Sequence, residues 1–275
     1  MYNDFYGLEQ QPFNLTPDPR FLFYSDRHRE AFQHILFGIQ ERKGFIQITG
    51  EVGAGKTTLC RAVLDELGPT FRTALILNPC MSSDQLLRAI LAELGLEAPV
   101  DGTGRADRVE CLAVLNRFLL EQLAQGNDVV LLIDEAQDLD FDLLEQIRLL
   151  SNLETDQRKL LQIVLIGQPE LRDRLNDRRL RQLRQRITVR YHLTPLSREE
   201  TEAYIRHRLH VAGANGRPEL SRWAVRRIHR YSGGVPRLIN AVCDKTLLCG
   251  FVTGEDSLKL SHVRRAIREL EGEFV

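Results

Sequence analysis

Residues 45–58, FIQITGEVGAGKTT, constrain the chain more than any other stretch. Phe45 to Thr49 is a short apolar run that reads as a buried strand. Gly50-Glu51-Val52-Gly53-Ala54-Gly55-Lys56-Thr57 then satisfies G-x-x-x-x-G-K-[ST] at every fixed position, with Thr58 following. Leu59, Val63, Leu64 and Leu67 recur at helical spacing. Strand, glycine loop and helix in immediate succession is the context in which that spacing carries chemistry. Gly50, Gly53 and Gly55 permit backbone conformations closed to residues with a Cβ, so that N–H groups can turn inward on a polyphosphate. The helix N-terminus adds unpaired donors and a favourable dipole. Lys56 is expected on β/γ-phosphate oxygens and the Thr57 hydroxyl on Mg²⁺. The competing reading, a glycine turn that binds nothing, leaves the flanking strand and helix unexplained.

Further strands are expected at 73–78, 129–133, 160–166 and 187–192, with helices at 27–42, 84–94, 107–125 and 141–152. The first of these helices puts Ala31, Phe32, Ile35, Leu36 and Ile39 on one face. The third carries Val109, Leu112, Ala113 and Phe118. Residues 99–106, PVDGTGRA, read as a polar loop. Val129–Ile133 is continuously apolar, which suits a strand covered on both faces, as in a parallel sheet. Alternating strands and helices give an α/β fold, whose ligands lie beyond the carboxyl ends of the strands. After Pro195 the pattern turns to helices only. Ser197-x-x-Glu200 is a capping box opening the first, and others are expected at 221–232, 236–249 and 261–272, the last burying Val263, Ala266, Ile267 and Leu270. Three parts result: an extended, proline-rich and aromatic-rich arm at 1–26, a nucleotide-binding domain at 27–193, and a helical domain at 194–275. The arm's aromatics either patch a core or wall a nucleotide base.

The net charge of −1 and pI near 6.7 give no overall reason to expect a polyanion partner. Five cysteines, odd in number and without C-x-x-C spacing, read as free thiols in a reducing cytoplasm rather than a zinc site. MYNDFYGLEQQPF lacks the features of a signal peptide, and runs such as Val129–Ile133 are too short to cross a bilayer.

Downstream of a glycine loop, an apolar strand ending in Asp134-Glu135 supplies what phosphoryl transfer requires. Asp134 is expected to hold Mg²⁺, directly or through its water shell, and Glu135 to orient and deprotonate the attacking water. Gln168, at the end of the next strand, either positions the water or γ-phosphate or is an ordinary turn amide before Pro169. Arg172, Arg174, Arg178, Arg179, Arg181, Arg184, Arg186 and Arg190 face only Asp173 and Asp177 in the same stretch. A solvated face, an arginine presented to a neighbouring subunit's γ-phosphate, and a nucleic-acid surface all fit, and spacing does not separate them. Gly233-Gly234-Val235-Pro236-Arg237 puts a cation in the first turn of a helix, where the dipole disfavours it. A bound phosphate would offset that cost.

Taken together, FYGLEQQPFNLTPDP, GFIQITGEVGAGKTTLCR, LLIDEAQDL, LLQIVLIGQPEL, LRQLRQRITVRYHLTPL and GGVPRLIN resemble the AAA+ ATPases. They are most similar to the ExeA/GspA-like group of secretion and pilus-biogenesis ATPases, including its MshM type. The resemblance implies a five-stranded parallel sheet of order 5-1-4-3-2 between helices, with a C-terminal helical lid. It makes GEVGAGKTT the Walker A loop and LLIDE the Walker B strand. It also places Gln168 at sensor 1, where many members carry Asn or Thr, and Arg237 at sensor 2. Arg186 stands as the arginine finger with Arg184 as substitute, and Asn78 at the strand end where a polar residue can restrain the catalytic glutamate. ATP and Mg²⁺, a homo-oligomeric ring such as a hexamer, and an inner-membrane secretion or pilus component are the implied cofactors and partners, with the chain cytoplasmic and recruited to the membrane face. ExeA-type proteins continue into a membrane span and a periplasmic peptidoglycan-binding region. A chain ending at Val275 is therefore expected to be a standalone MshM-type ATPase or an isolated cytoplasmic part. Related ATPases that serve transposition assemble on DNA, and RWAVRRIHR (222–230) keeps a DNA-associated regulator as the alternative.

Overall fold

A computed structural model describes residues 1–16, 18–99, 107–155 and 158–272; Pro17 of the arm and all but the first residue of the loop expected at 99–106 lie outside them. Along the chain, α1 (Tyr2–Tyr6) and a 3-10 turn (Pro19–Phe21) precede α2 (Asp26–Gln40). Next come β1 (Phe45–Gly50), α3 (Lys56–Leu67), β2 (Phe71–Ile76), α4 (Ser83–Glu93), α5 (Arg108–Ala124) and β3 (Asp128–Ile133). A 3-10 turn (Ala136–Asp138), α6 (Phe141–Leu150), β4 (Leu161–Gly167), α7 (Pro169–Leu175), α8 (Arg181–Arg186) and β5 (Ile187–Leu193) follow. The remainder is α9 (Arg198–Val211), β6 (Glu219–Leu220), α10 (Arg222–Ser232), α11 (Pro236–Thr253), β7 (Ser257–Leu258) and α12 (Leu260–Leu270). The residues group into two compact units, one of 30–50 and 60–193, the other of 1–29, 51–59 and 194–275.

The first unit is built on a parallel sheet of order β2-β3-β4-β1-β5, which is 5-1-4-3-2 read from the other edge. β1, β3 and β4 are central and almost wholly buried, so their apolar runs have no polar face. Successive side chains still alternate between faces. Val129, Leu131 and Ile133 of β3 and Ile163 and Leu165 of β4 share one core with Leu86, Ile90 and Leu91 of α4, Leu115 and Leu119 of α5 and Leu144 and Ile147 of α6. Side-chain caps start these helices: Ser82 in a capping box with Gln85, Asp107 and Asp140.

Two expectations fail here. β2 begins at Phe71 and stops at Ile76, because its register with β3 runs from Asp128 to Ile133; Leu77 and Asn78 lie exposed beyond it. In α5 the inward face is Cys111, Leu115, Leu119 and Gln122, and Val109 is 76% exposed. A first-turn valine opposite the true stripe had no signal against it in the sequence.

In the second unit the helices α9–α12 enclose their own core, joined by arm residues Tyr6, Leu8, Phe13 and Phe21. The arm is not wholly extended, since residues 2–6 are helical, closed by Gly7 in the left-handed region. The buried Tyr6 hydroxyl donates to the Leu247 carbonyl at 3.0 Å. Buried Arg208 donates to the carbonyls of Pro12 (2.5 Å) and Asn14 (3.3 Å), with its guanidinium 4.5 Å from the Phe21 ring centroid. These side chains serve the core. The stretch after Pro195 is not purely helical either: β6 and β7 form a two-residue parallel pair. Leu270, expected on the inner face of α12, is exposed.

Candidate active-site residues

The glycine loop belongs to the helical unit, and its glycines have different causes. Gly53 (φ +77°) and Gly55 (φ +96°) need the left-handed region. A Cβ on Gly53 would also fall 2.4 Å from the Arg237 Cβ. Gly50, expected to share this role, has no positive φ; it lies in the sheet unit, where a side chain would meet the Leu193 carbonyl oxygen at 2.8 Å. Lys56 opens α3 almost buried, and its ammonium donates to the Glu51 carbonyl at 3.0 Å, the same oxygen that accepts the Ala54 N–H. Thr57 and Thr58 are half-buried; Glu51 and Val52 are exposed.

Sequence reasoning missed His28. It is 4% exposed, with Nδ1 2.7 Å from the Ser25 Oγ and Nε2 3.0 Å from the Ala54 carbonyl oxygen. A carbonyl only accepts, so Nε2 carries the proton and Nδ1 accepts from the serine hydroxyl. Burial pulls the His28 pKa below its ordinary value, against the opposing hydrogen bond to Ala54. A neutral histidine thus props the loop at Ala54, and its ring lies 3.2 Å from where a Gly55 Cβ would stand.

Arg237 is the second residue of α11, exposed at the side chain, and its backbone N–H donates to the Gly53 carbonyl at 3.2 Å. The preceding Gly234 is required because a Cβ there would sit 2.0 Å from the Leu196 carbonyl oxygen.

In the sheet unit, Asp134 follows β3 nearly buried and accepts the Glu135 backbone N–H at 2.9 Å. Glu135 is held at φ +50°, ψ +37°, a left-handed geometry that costs a residue with a side chain about 1–2 kcal/mol. Its carboxylate Oε2 accepts from the Gln137 amide Nε2 at 2.9 Å and from the Gln168 Nε2 at 3.4 Å. The Gln137 Oε1 in turn accepts the Gln168 backbone N–H at 2.9 Å. The orientation of the Gln137 amide is therefore fixed at both ends: a backbone N–H only donates and a carboxylate only accepts. Gln137 was visible in the sequence only as part of LLIDEAQDL.

The other expected residues lie apart from this cluster. The exposed Asn78 accepts the Cys80 N–H at 3.2 Å, an Asx turn; the amides on Glu135 are those of Gln137 and Gln168. Arg186, half-buried, donates to the Ser151 Oγ at 2.6 Å and toward the Arg148 carbonyl at 3.5 Å, at the C-terminus of α6, where the helix dipole favours a cation. Arg184 reaches the Asn176 side-chain oxygen at 3.4 Å. For Mg²⁺, the Thr57 hydroxyl and Asp134 carboxylate are hard oxygen donors of the kind that ion takes.

Residues 26–175 match the family described as AAA domain. The chain is similar to General secretion pathway protein A of Aeromonas hydrophila, 46% identical over 272 residues, which cover 99% of the chain and 49% of that protein. The chain thus spans about half the length of this relative. Its fold is similar to that of the Aeropyrum pernix ORC2 protein, with a TM-score of 0.68 at 17% identity over 97% of this chain and 73% of the other. It is likewise similar to Cdc6p from Pyrobaculum aerophilum, with a TM-score of 0.69 at 18% identity over 92% and 71%. On the family match and the near-full-length identity, the chain belongs to the AAA+ ATPases, in the ExeA/GspA-like group.

Proposed function

We propose that the chain hydrolyses ATP with Mg²⁺ and uses the cycle to drive assembly or operation of a bacterial envelope machine, a type II secretion system or an MSHA-type pilus. The observation carrying this reading is the glutamate after β3, fixed in a strained backbone geometry with one carboxylate oxygen held by two amides. Lys56 and the loop amides bind the phosphates, and Arg237 contacts them from the first turn of α11. By the family pattern Thr57 and Asp134 are the residues that would hold Mg²⁺, which would supply charge neutralisation on the phosphate oxygens. Glu135 takes a proton from water as the water oxygen bonds to the γ-phosphorus and the bond to the ADP oxygen breaks. Gln137 and Gln168 keep Oε2 occupied so that Oε1 meets the water; the restraint assigned in the sequence to Asn78 falls to them.

Phosphate release and nucleotide binding test the assignment together. Glu135→Gln should keep ATP binding and lose turnover by about 10²–10⁴-fold, while Lys56→Ala should lose binding itself. Unchanged turnover in Glu135→Gln would refute the base.

Support for oligomeric action comes from the family; in a ring Arg186 would leave Ser151 to reach a neighbour's γ-phosphate, Arg184 being its substitute. Mixed rings of Arg186→Ala and Lys56→Ala subunits should then recover activity that neither has alone. No helix among the described residues is long and apolar enough to cross a membrane. On the likeness to General secretion pathway protein A, we place the chain in the cytoplasm, recruited to the inner-membrane face by a machine component. The second reading, a DNA-associated regulator, is favoured by one surface only.

A further inference from the structure

That surface is a groove of about 430 Å³ between α10 and α12, lined by Arg227 and Arg230 of the first helix and Arg264, Ile267, Arg268 and Glu271 of the second. None of the four arginines is paired with a carboxylate within 4.0 Å among the described residues, whereas Arg265, one position on from Arg264, is bonded to Glu269. Arg227 and Arg230 are three residues apart and Arg264 and Arg268 four apart, so each pair stacks along one helix face and the two rows line the same groove. One turn before Arg227 on the same face stands Trp223, 63% exposed, with the Arg226 guanidinium 5.4 Å from its ring centroid. The apolar residues of α10, Ala224, Val225 and Ile228, are buried in the core of their own unit.

We infer that this groove binds the backbone of a single-stranded nucleic acid, with Trp223 stacking on a base. Two rows of guanidinium groups match a chain of phosphodiesters, and an exposed indole beside them supplies a sequence-tolerant stacking platform. A bilayer is the poorer occupant. Helices that lie on membranes insert an apolar face, and the apolar face of α10 is already taken. With a whole-chain charge of −1, attraction is local rather than long-range, so binding should be strongly salt-dependent. The inference does not depend on ATP hydrolysis.

Trp223 is the chain's single tryptophan, so its fluorescence reports on one place, one turn of α10 before the groove. Titrating the full chain with an oligothymidylate of about 12 nucleotides should quench that emission. If all four arginines meet phosphates, affinity should fall about fifty-fold between about 50 and about 200 mM salt. Arg230→Glu with Arg268→Glu, both at exposed positions, should weaken binding at least about tenfold and leave ATP binding unchanged. Three results would overturn the inference: no binding, binding that survives the double reversal, or binding to phosphatidylglycerol vesicles in place of the oligonucleotide.

Discussion

Replacing Gln137 with glutamate tests the restraint on the base with almost no change of shape. The 2.9 Å contact between Nε2 and the Glu135 Oε2 is a hydrogen bond to a charged acceptor, a class worth about 1.5–3 kcal/mol. In Gln137→Glu that donor becomes a second carboxylate oxygen, while the oxygen accepting the Gln168 N–H is retained. Two unit charges about 4 Å apart at an effective dielectric of about 20 repel by about 4 kcal/mol, or about three pH units at 1.36 kcal/mol each. Relaxation of a half-exposed site will take up part of this, leaving about one to three units. Wherever the pair holds one proton between its two carboxylates, it no longer presents a free base. In stopped-time phosphate assays across pH, kcat should fall away at a higher pH than in wild type, its acid limb displaced upward, while the KM for ATP stays within about threefold. Gln137→Met removes the donor without adding charge, so it should lower kcat by about ten-fold or more with the acid limb in place. A merely structural Gln137 predicts similar losses in both variants and no displacement. If the glutamate variant shows an unmoved acid limb while wild type hydrolyses ATP and Glu135→Gln does not, the restraint is wrong and the base assignment stands.

Other perturbations address the loop and the arm. His28 binds its proton more weakly folded than unfolded, because burial disfavours the imidazolium. The unfolded chain therefore takes up more protons below the ordinary value of 6.5; stability should be level above that pH and fall as the medium is acidified through it. His28→Gln, which keeps a donor for the Ala54 carbonyl, should flatten this slope in urea titrations at successive pH values; a slope that persists would exclude His28 as its source. Arg208→Met removes the guanidinium that binds the Pro12 and Asn14 carbonyls and should cost about 2–4 kcal/mol in urea unfolding. It should also expose residues near Pro12 to protease, and an unchanged cleavage pattern would mean that the arm is held by its aromatics alone.

Much of the sheet was legible because its strands are central. Where both faces are covered, the apolar run and its polar end mark the strand directly, as at Val129–Ile133 followed by Asp134. β2 lies at a sheet edge with half of its side chains partly exposed, and there the boundary moved by two residues. The arm was misread at its start for a related reason. Prolines from Pro12 onward argue for an extended chain, but Tyr2–Tyr6 precede them, and one short helix forms where Tyr6 can bury its ring and satisfy its hydroxyl on Leu247. That pairing spans 241 residues, and no local pattern encodes it.

The same distinction separates the site residues that could be read from those that could not. Lys56, Asp134 and Glu135 stand out as candidates because their spacing from glycines and a strand is set by the backbone they sit on. Gln137 and His28 act by hydrogen bonds to partners 31 and 26 residues away, so only the folded chain shows what they hold. Gln137 nevertheless has a requirement that can be stated chemically. The backbone N–H of Gln168 needs an acceptor, the Glu135 carboxylate needs a donor, and a single uncharged side chain must reach both without carrying a charge toward the base. Glutamine meets all three conditions; glutamate fails the second, lysine and arginine the first, and asparagine is shorter by one methylene. A glutamine two residues after Glu135 is therefore interpretable as a brace between the ends of β3 and β4. Displacing the end of β4 would pull on Gln137 and so on the Glu135 carboxylate, a direct route within this unit by which strain at Gln168 can reach that side chain.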